Sequence, residues 1–112
     1  MNDILKQLDE VLEARKSESA DSSYVASLYD KGIEKILKKV AEESAETIMA
    51  AKDLESESSK ENQEHLVYEI ADLWFHTMVL LASQDMSSND VITELQRRFG
   101  LSGHEEKANR SQ

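Results

Sequence analysis

The sequence predicts an all-α domain, an antiparallel helical bundle of four to five helices. Three observations predict it. The 112 residues include no proline and only three glycines, so little interrupts a helix over long stretches. Glu, Lys, Leu, Ala and Ile recur, and all but Ile are strong helix formers. Apolar residues return at helical spacing in several segments. The length suits a single domain, 1–112, and so short a chain has a modest core, which favours burying more apolar surface against a second copy. Hydrophobic residues make up 39% of the chain, enough for a globular core and too much for full disorder.

The first helix is expected over residues 3–16, where Ile4, Leu5, Leu8, Val11 and Leu12 share one face. Residues 17–23 are Ser-rich and polar and read as a loop. Residues 24–29 are too short to assign. The second long helix is expected over 30–54, with an apolar stripe of Ile33, Ile36, Leu37, Val40 and Ile48. Residues 55–63 are almost wholly polar and read as an exposed joint. The third long helix is expected over 61–83, its stripe made of Leu66, Ile70, Leu73, Trp74, Leu80 and Leu81. Ser87 or Ser88 is placed to cap a fourth, with Asp90 in the first turn where a carboxylate suits the helix dipole. That helix ends at Phe99, with Arg97 and Arg98 in its last turn and Gly100 as the stop. Residues 101–112 form a short polar tail.

The chain has no cysteine, hence no disulfide framework and no thiolate metal site, which suits the cytoplasm. No uninterrupted apolar run approaches the roughly 20 residues of a membrane span, and the N-terminus lacks a basic-then-apolar leader pattern. A formal net charge of −10 argues against nucleic-acid binding, which rests on neutralising phosphates with Lys and Arg. A small phosphorylated ligand stays compatible, because local charge can differ from the total.

A helix turns 100° per residue. Glu43 and Glu46, three apart, are therefore surface neighbours, and Glu69 and Asp72 repeat the relation on the next long helix. Both pairs border an apolar stripe. If the stripes face each other, the acids converge at a half-buried seam, repel, and raise one another's pKa values. Lysines or a hard divalent cation would neutralise them. No histidine forms the Glu-x-x-His pair of di-iron bundles, so magnesium or manganese is favoured over iron or zinc. Acids at this spacing are also commonplace on solvated helix faces, and spacing alone names no substrate.

The run Glu42-Glu43-Ser44-Ala45-Glu46, then 22 residues, then Glu69-Ile70-Ala71-Asp72, resembles the EExxE…ExxD signature of the all-α NTP pyrophosphohydrolases. Within that group the chain is similar to the phosphoribosyl-ATP pyrophosphohydrolases over roughly residues 23–110. The resemblance is carried by Ser23-Tyr24-Val25-Ala26-Ser27-Leu28, by Gly32 to Glu43, by Arg97-Arg98-Phe99-Gly100, and by Ser102-Gly103-His104-Glu105-Glu106-Lys107-Ala108. Family members commonly have Gly for Ala41, His for Phe99 and Leu for His104.

The resemblance implies attack of water on the α–β phosphoanhydride of phosphoribosyl-ATP, giving phosphoribosyl-AMP and pyrophosphate, the second step of histidine biosynthesis. It also implies Mg²⁺ and a homodimer whose subunits complete the helical core. Glu43, Glu46, Glu69 and Asp72 would hold the metal, which screens phosphate charge and lowers the pKa of a water. Glu42 would be a further ligand or the acceptor of the water's proton. Lys35 and Lys39 would contact phosphate, or else form routine helix-surface pairs. With Lys31 they make a column spaced by four that leads to the acids. Arg97, Arg98, Lys107 and Arg110 would grip the 5′-phosphate through their donors, although Arg97 and Arg98 also suit the dipole of their own helix. Tyr24 and Tyr29 lie outside the long stripes and are candidates for base contact. Trp74 would either stack on a purine or pack in the core. His65 and His76 would support the acids or sit at the surface or its boundary. Two other readings stand beside it: a house-cleaning (d)NTP pyrophosphohydrolase, which the signature serves equally while the flanking segments favour phosphoribosyl-ATP, and a non-catalytic helical interaction module whose acids are solvated surface.

Overall fold

Two 24-residue helices form the spine of the protein. In the computed structural model, which describes residues 3–99, the order is α1 (Ile4–Ala14), a 3₁₀ turn (Arg15–Ser17), α2 (Tyr24–Lys31), α3 (Ile33–Ser56), α4 (Lys60–Ser83) and α5 (Ser88–Phe99). The described residues contain no strand, so the all-α expectation holds. The expectations for Gly100, Lys107, Arg110 and the tail lie outside the described residues.

α3 and α4 pack antiparallel along more of their length than any other pair. Their joint is shorter than the polar run 55–63 suggests, because both helices extend into it. Ser59 caps α4 by accepting from the Asn62 backbone N–H at 3.1 Å. The Asn62 amide also donates to the Asp53 and Glu57 carbonyls at 3.3 and 2.9 Å. The Glu57 carbonyl at the end of α3 thus finds a partner on α4, and the Asp53 carbonyl, which already accepts from the Glu57 N–H, finds a second one.

The unassigned residues 24–29 begin a helix of their own. Ser23 caps α2, its hydroxyl accepting from the Ala26 N–H at 3.2 Å. The helix expected over 30–54 instead starts at Ile33, because Gly32 stands between α2 and α3 with φ 94°. This φ is open to glycine and strained for other residues. Lys31 therefore ends α2 and does not continue the column of Lys35 and Lys39.

The core gathers Leu12 of α1, Val25 and Leu28 of α2, Ile36 of α3, and Met78, Val79 and Ala82 of α4. α5 is fastened to α1 by Asp9, whose carboxylate accepts from the Ser88 N–H at 3.0 Å and the Ser88 hydroxyl at 2.5 Å. Ser87 precedes α5, and the Asp90 carboxylate reaches back to accept from its N–H at 3.0 Å, one half of a capping box. Two stripe residues depart from expectation. Ile48 is 64% exposed and Trp74 58%, so neither packs in the core of this chain. By length and composition α4 is the one described helix that qualifies as a membrane span. It is also the helix that carries buried Glu69 and His76 against its neighbours, as the central helix of a bundle does.

Candidate functional site

The acid-bearing turns of α3 and α4 meet halfway along the hairpin. Thr47 fixes their register. Its hydroxyl donates to the Glu43 carbonyl one turn earlier at 2.8 Å and lies 3.3 Å from the Glu69 carbonyl across the seam. This holds the two acid-bearing backbones side by side.

Carboxylate oxygens of Glu43, Glu69 and Asp72 come within 4.8 Å of one another. Glu43 is 4% exposed and Glu69 6%, while Asp72 is half-buried. Oxygens of this kind usually find donors when buried, yet Glu43 Oε2 and Glu69 Oε1 have none. Burial pushes both carboxyls above the usual carboxylate range, and the charge of Glu46 adds to the effect on each. Glu46 itself is exposed. It stands at the rim, close enough to repel both buried acids and outside the tight cluster of three. Two orphaned anionic oxygens beside a third carboxylate fit a hard cation with oxygen preference; the described residues supply no nitrogen or sulfur ligand to this cluster.

Lysine neutralises only one edge. Lys39 lies 3.1 Å from Glu42 and 3.5 Å from Glu43. Its hydrogen bond to Glu42 raises the Lys39 pKa and lowers that of exposed Glu42. Lys35, one turn earlier and half-buried, also acts on Glu42 through its charge. On the other edge, His65 approaches Glu69 only to 3.9 Å.

Tyr24 stands beside this cluster, 52% exposed, and the charges of Lys39, Glu43 and Asp72 reach its hydroxyl. Tyr29 does not join it. Its hydroxyl donates to the Leu12 carbonyl at 2.9 Å and its ring packs against the core, which corrects the expectation of base contact. Arg97 and Arg98 sit at the far end of α5, where both bond Glu94, at 2.6 and 2.9 Å. Arg97, then Arg98, hold the Glu94 carboxyl down at about 2. The sequence reading named neither Thr47 nor a definite place for His76, which is 5% exposed. His76 Nδ1 lies 2.8 Å from the Asp72 carbonyl and Nε2 2.9 Å from the Tyr24 hydroxyl.

Carboxylates converging on a cation-sized gap, with a lysine edge and an aromatic wall, suit a polyphosphate substrate carrying an aromatic group. Comparison with known proteins agrees. The family model described as "Phosphoribosyl-ATP pyrophosphohydrolase" matches residues 5–99. A protein of Hydrogenovibrio crunogenus named phosphoribosyl-ATP pyrophosphatase is 66% identical over 98% of this chain and 95% of its own length. Proteins of the same name from Ruthia magnifica and Vesicomyosocius okutanii are 56% and 54% identical, each over 99% of both chains.

Proposed function

The chain belongs to the phosphoribosyl-ATP pyrophosphohydrolase family, and from that premise we propose that it hydrolyses phosphoribosyl-ATP to phosphoribosyl-AMP and pyrophosphate, the second step of histidine biosynthesis, in the cytoplasm. The observation that carries the reading is the pair of buried, donorless carboxylate oxygens on Glu43 and Glu69 within a three-acid cluster. A catalyst gains from such charge only if a cation joins it during turnover.

Glu43, Glu69 and Asp72, with Glu46 at the rim, are proposed to hold Mg²⁺, with Mn²⁺ as a substitute. When bound, the metal supplies charge neutralisation at the phosphates and a more acidic water. The other groups act directly. Lys39 is paired with Glu42 and Glu43, and can turn from them towards phosphate once the acids are neutralised. Lys35 extends the same positive edge along α3. Glu42, exposed and with its pKa lowered by Lys39, is ionised at neutral pH and is proposed to accept the attacking water's proton. Arg97, Arg98 and Lys107 are proposed to bind the 5′-phosphate. For the first two this requires exchange of the Glu94 contact.

A homodimer is part of the proposal. Leu5, Trp74, Leu81, Val91 and Leu95 line an apolar groove between α1, α4 and α5, and Trp74, 58% exposed, adds to an apolar patch of the kind that supports an interface. Trp74→Glu is expected to shift the mass in solution from two chains to one.

The test is pyrophosphate release from phosphoribosyl-ATP, dUTP and dCTP, with and without Mg²⁺. Release from phosphoribosyl-ATP alone, abolished by EDTA, is expected. Release from dUTP or dCTP instead would make the protein a house-cleaning enzyme. No release from any of them, with no thermal shift in millimolar Mg²⁺, would leave a non-catalytic module.

A further inference from the structure

His76 is the one buried histidine among the described residues, and both of its ring nitrogens are engaged. The Asp72 carbonyl can only accept, so Nδ1 carries the proton that it receives at 2.8 Å. The other ring nitrogen, Nε2, shares a hydrogen bond with the Tyr24 hydroxyl at 2.9 Å. The two rings meet edge to face, with centroids 5.9 Å apart and planes at 83°. Phe75 packs against the imidazole in a second edge-to-face contact at 5.3 Å. One side chain thus ties α2 to the turn of α4 that carries Asp72.

This geometry restricts what Tyr24 can offer a ligand. Its hydroxyl is hydrogen-bonded to His76 Nε2, so what Tyr24 presents outwards is chiefly its ring. The residue is 52% exposed, and its hydroxyl end is anchored by His76. An aromatic face held this way suits stacking on a base.

We propose that His76 is a positioning residue: it holds the Tyr24 ring and the Asp72 turn in one register, so that Tyr24 forms a fixed wall beside the acid cluster on which the purine of the substrate stacks. The proposal rests on the phosphoribosyl-ATP reading.

Four single variants and one double variant test it. Tyr24→Phe keeps the ring and loses the tether. His76→Asn keeps an amide near the Asp72 carbonyl but falls short of Tyr24. His76→Gln reaches Tyr24 but gives up the Asp72 carbonyl. Tyr24→Leu removes the ring. Losing the tether is expected to raise KM about fivefold, the worth of one hydrogen bond, with kcat changed less. Tyr24→Phe/His76→Asn should be no worse than either single variant, because both cut one link. Tyr24→Leu should raise KM further, roughly tenfold or more, by loss of stacking. His76→Gln should keep KM near wild type and weaken Mn²⁺ binding measured by calorimetry. Multiplying effects in the double variant, or lower thermal stability with KM unchanged throughout, would overturn the proposal. A wild-type chain that fails to cleave phosphoribosyl-ATP would overturn the functional reading instead. The tie to Asp72 is then read from Mn²⁺ calorimetry alone, and equal affinity in wild type and His76→Gln sinks it.

Discussion

The two halves of α4 are built to opposite ends. Its C-terminal half presents Met78, Val79 and Ala82 to α1, α2 and α3, where apolar surface meets apolar surface. Its N-terminal half presents Glu69 and Asp72 to Glu43 of the same α3. The first half lowers the free energy of the fold by removing apolar area from water. The second half buries negative charge with neither donors nor enough lysine to compensate. One hairpin therefore carries both a source of stability and a deliberate deficit, and the deficit is where a ligand gains most by binding.

The largest expected effect breaks the acid half alone. Glu69→Gln or Asp72→Asn should reduce kcat/KM by about a thousandfold or more, the scale of a lost metal-binding charge. Metal-free melting temperature should hold or rise, since a repulsion is relieved. A large fall in metal-free stability would mean that the acids support the fold, and the contrast between the halves would disappear. The reverse profile is expected of the apolar half. Leu28→Ala, at a site 1% exposed, should destabilise by about 3 kcal/mol in urea, while kcat of the folded fraction changes little.

A smaller effect separates the halves by pH. Glu43 and Glu69 titrate above the usual carboxylate range because burial and Glu46 disfavour their charge. Their raised folded pKa values mean that a penalty is present at neutral pH and fades as pH falls through those values towards the unfolded one. Metal-free wild type should thus gain on Glu43→Gln as pH drops from neutral towards the ordinary carboxylate value, until their melting temperatures converge. Glu94 behaves oppositely. Its pKa of about 2 gives a contribution present above the unfolded value and lost as pH falls towards 2. A gap between wild type and Glu43→Gln that is constant with pH would remove the buried-charge account. The smallest effect tests the break between α2 and α3. Gly32→Ala meets no atom within 4 Å, so its cost is backbone strain alone, about 1 kcal/mol, with activity retained.

Much of this was legible because helices write their neighbours into the sequence at three and four residues. That spacing exposes the acid pairs, the Ser23–Leu28 and Gly32–Glu43 segments place them in a family, and Asp90 announces the start of α5. The same rule misleads at Lys31, where spacing by four runs straight through a glycine that turns the chain. Trp74 sits in an apolar stripe by periodicity and yet faces outwards, because a stripe does not say which partner covers it. Thr47 and His76 escaped assignment for a third reason. Their decisive contacts, to Glu69 and to Tyr24, span 22 and 52 residues, and only tertiary packing creates them. Tyr29 shows the converse: it lies outside the long stripes, but its hydroxyl is spent on the Leu12 carbonyl.

The hairpin also dictates where its length can vary over evolution. Residues 57–59 separate α3 from α4, and a residue added there changes only the width of a bend. A residue added between Glu46 and Ser56 rotates everything beyond it by about 100°, bringing α4 back with Glu69 pointing away from Glu43. Only a matching insertion ahead of Glu69 restores the alignment. Insertions and deletions between the acid pairs are thus confined to the bend or arrive as compensating twins, one on each helix, and an alignment of relatives should show gaps in that pattern.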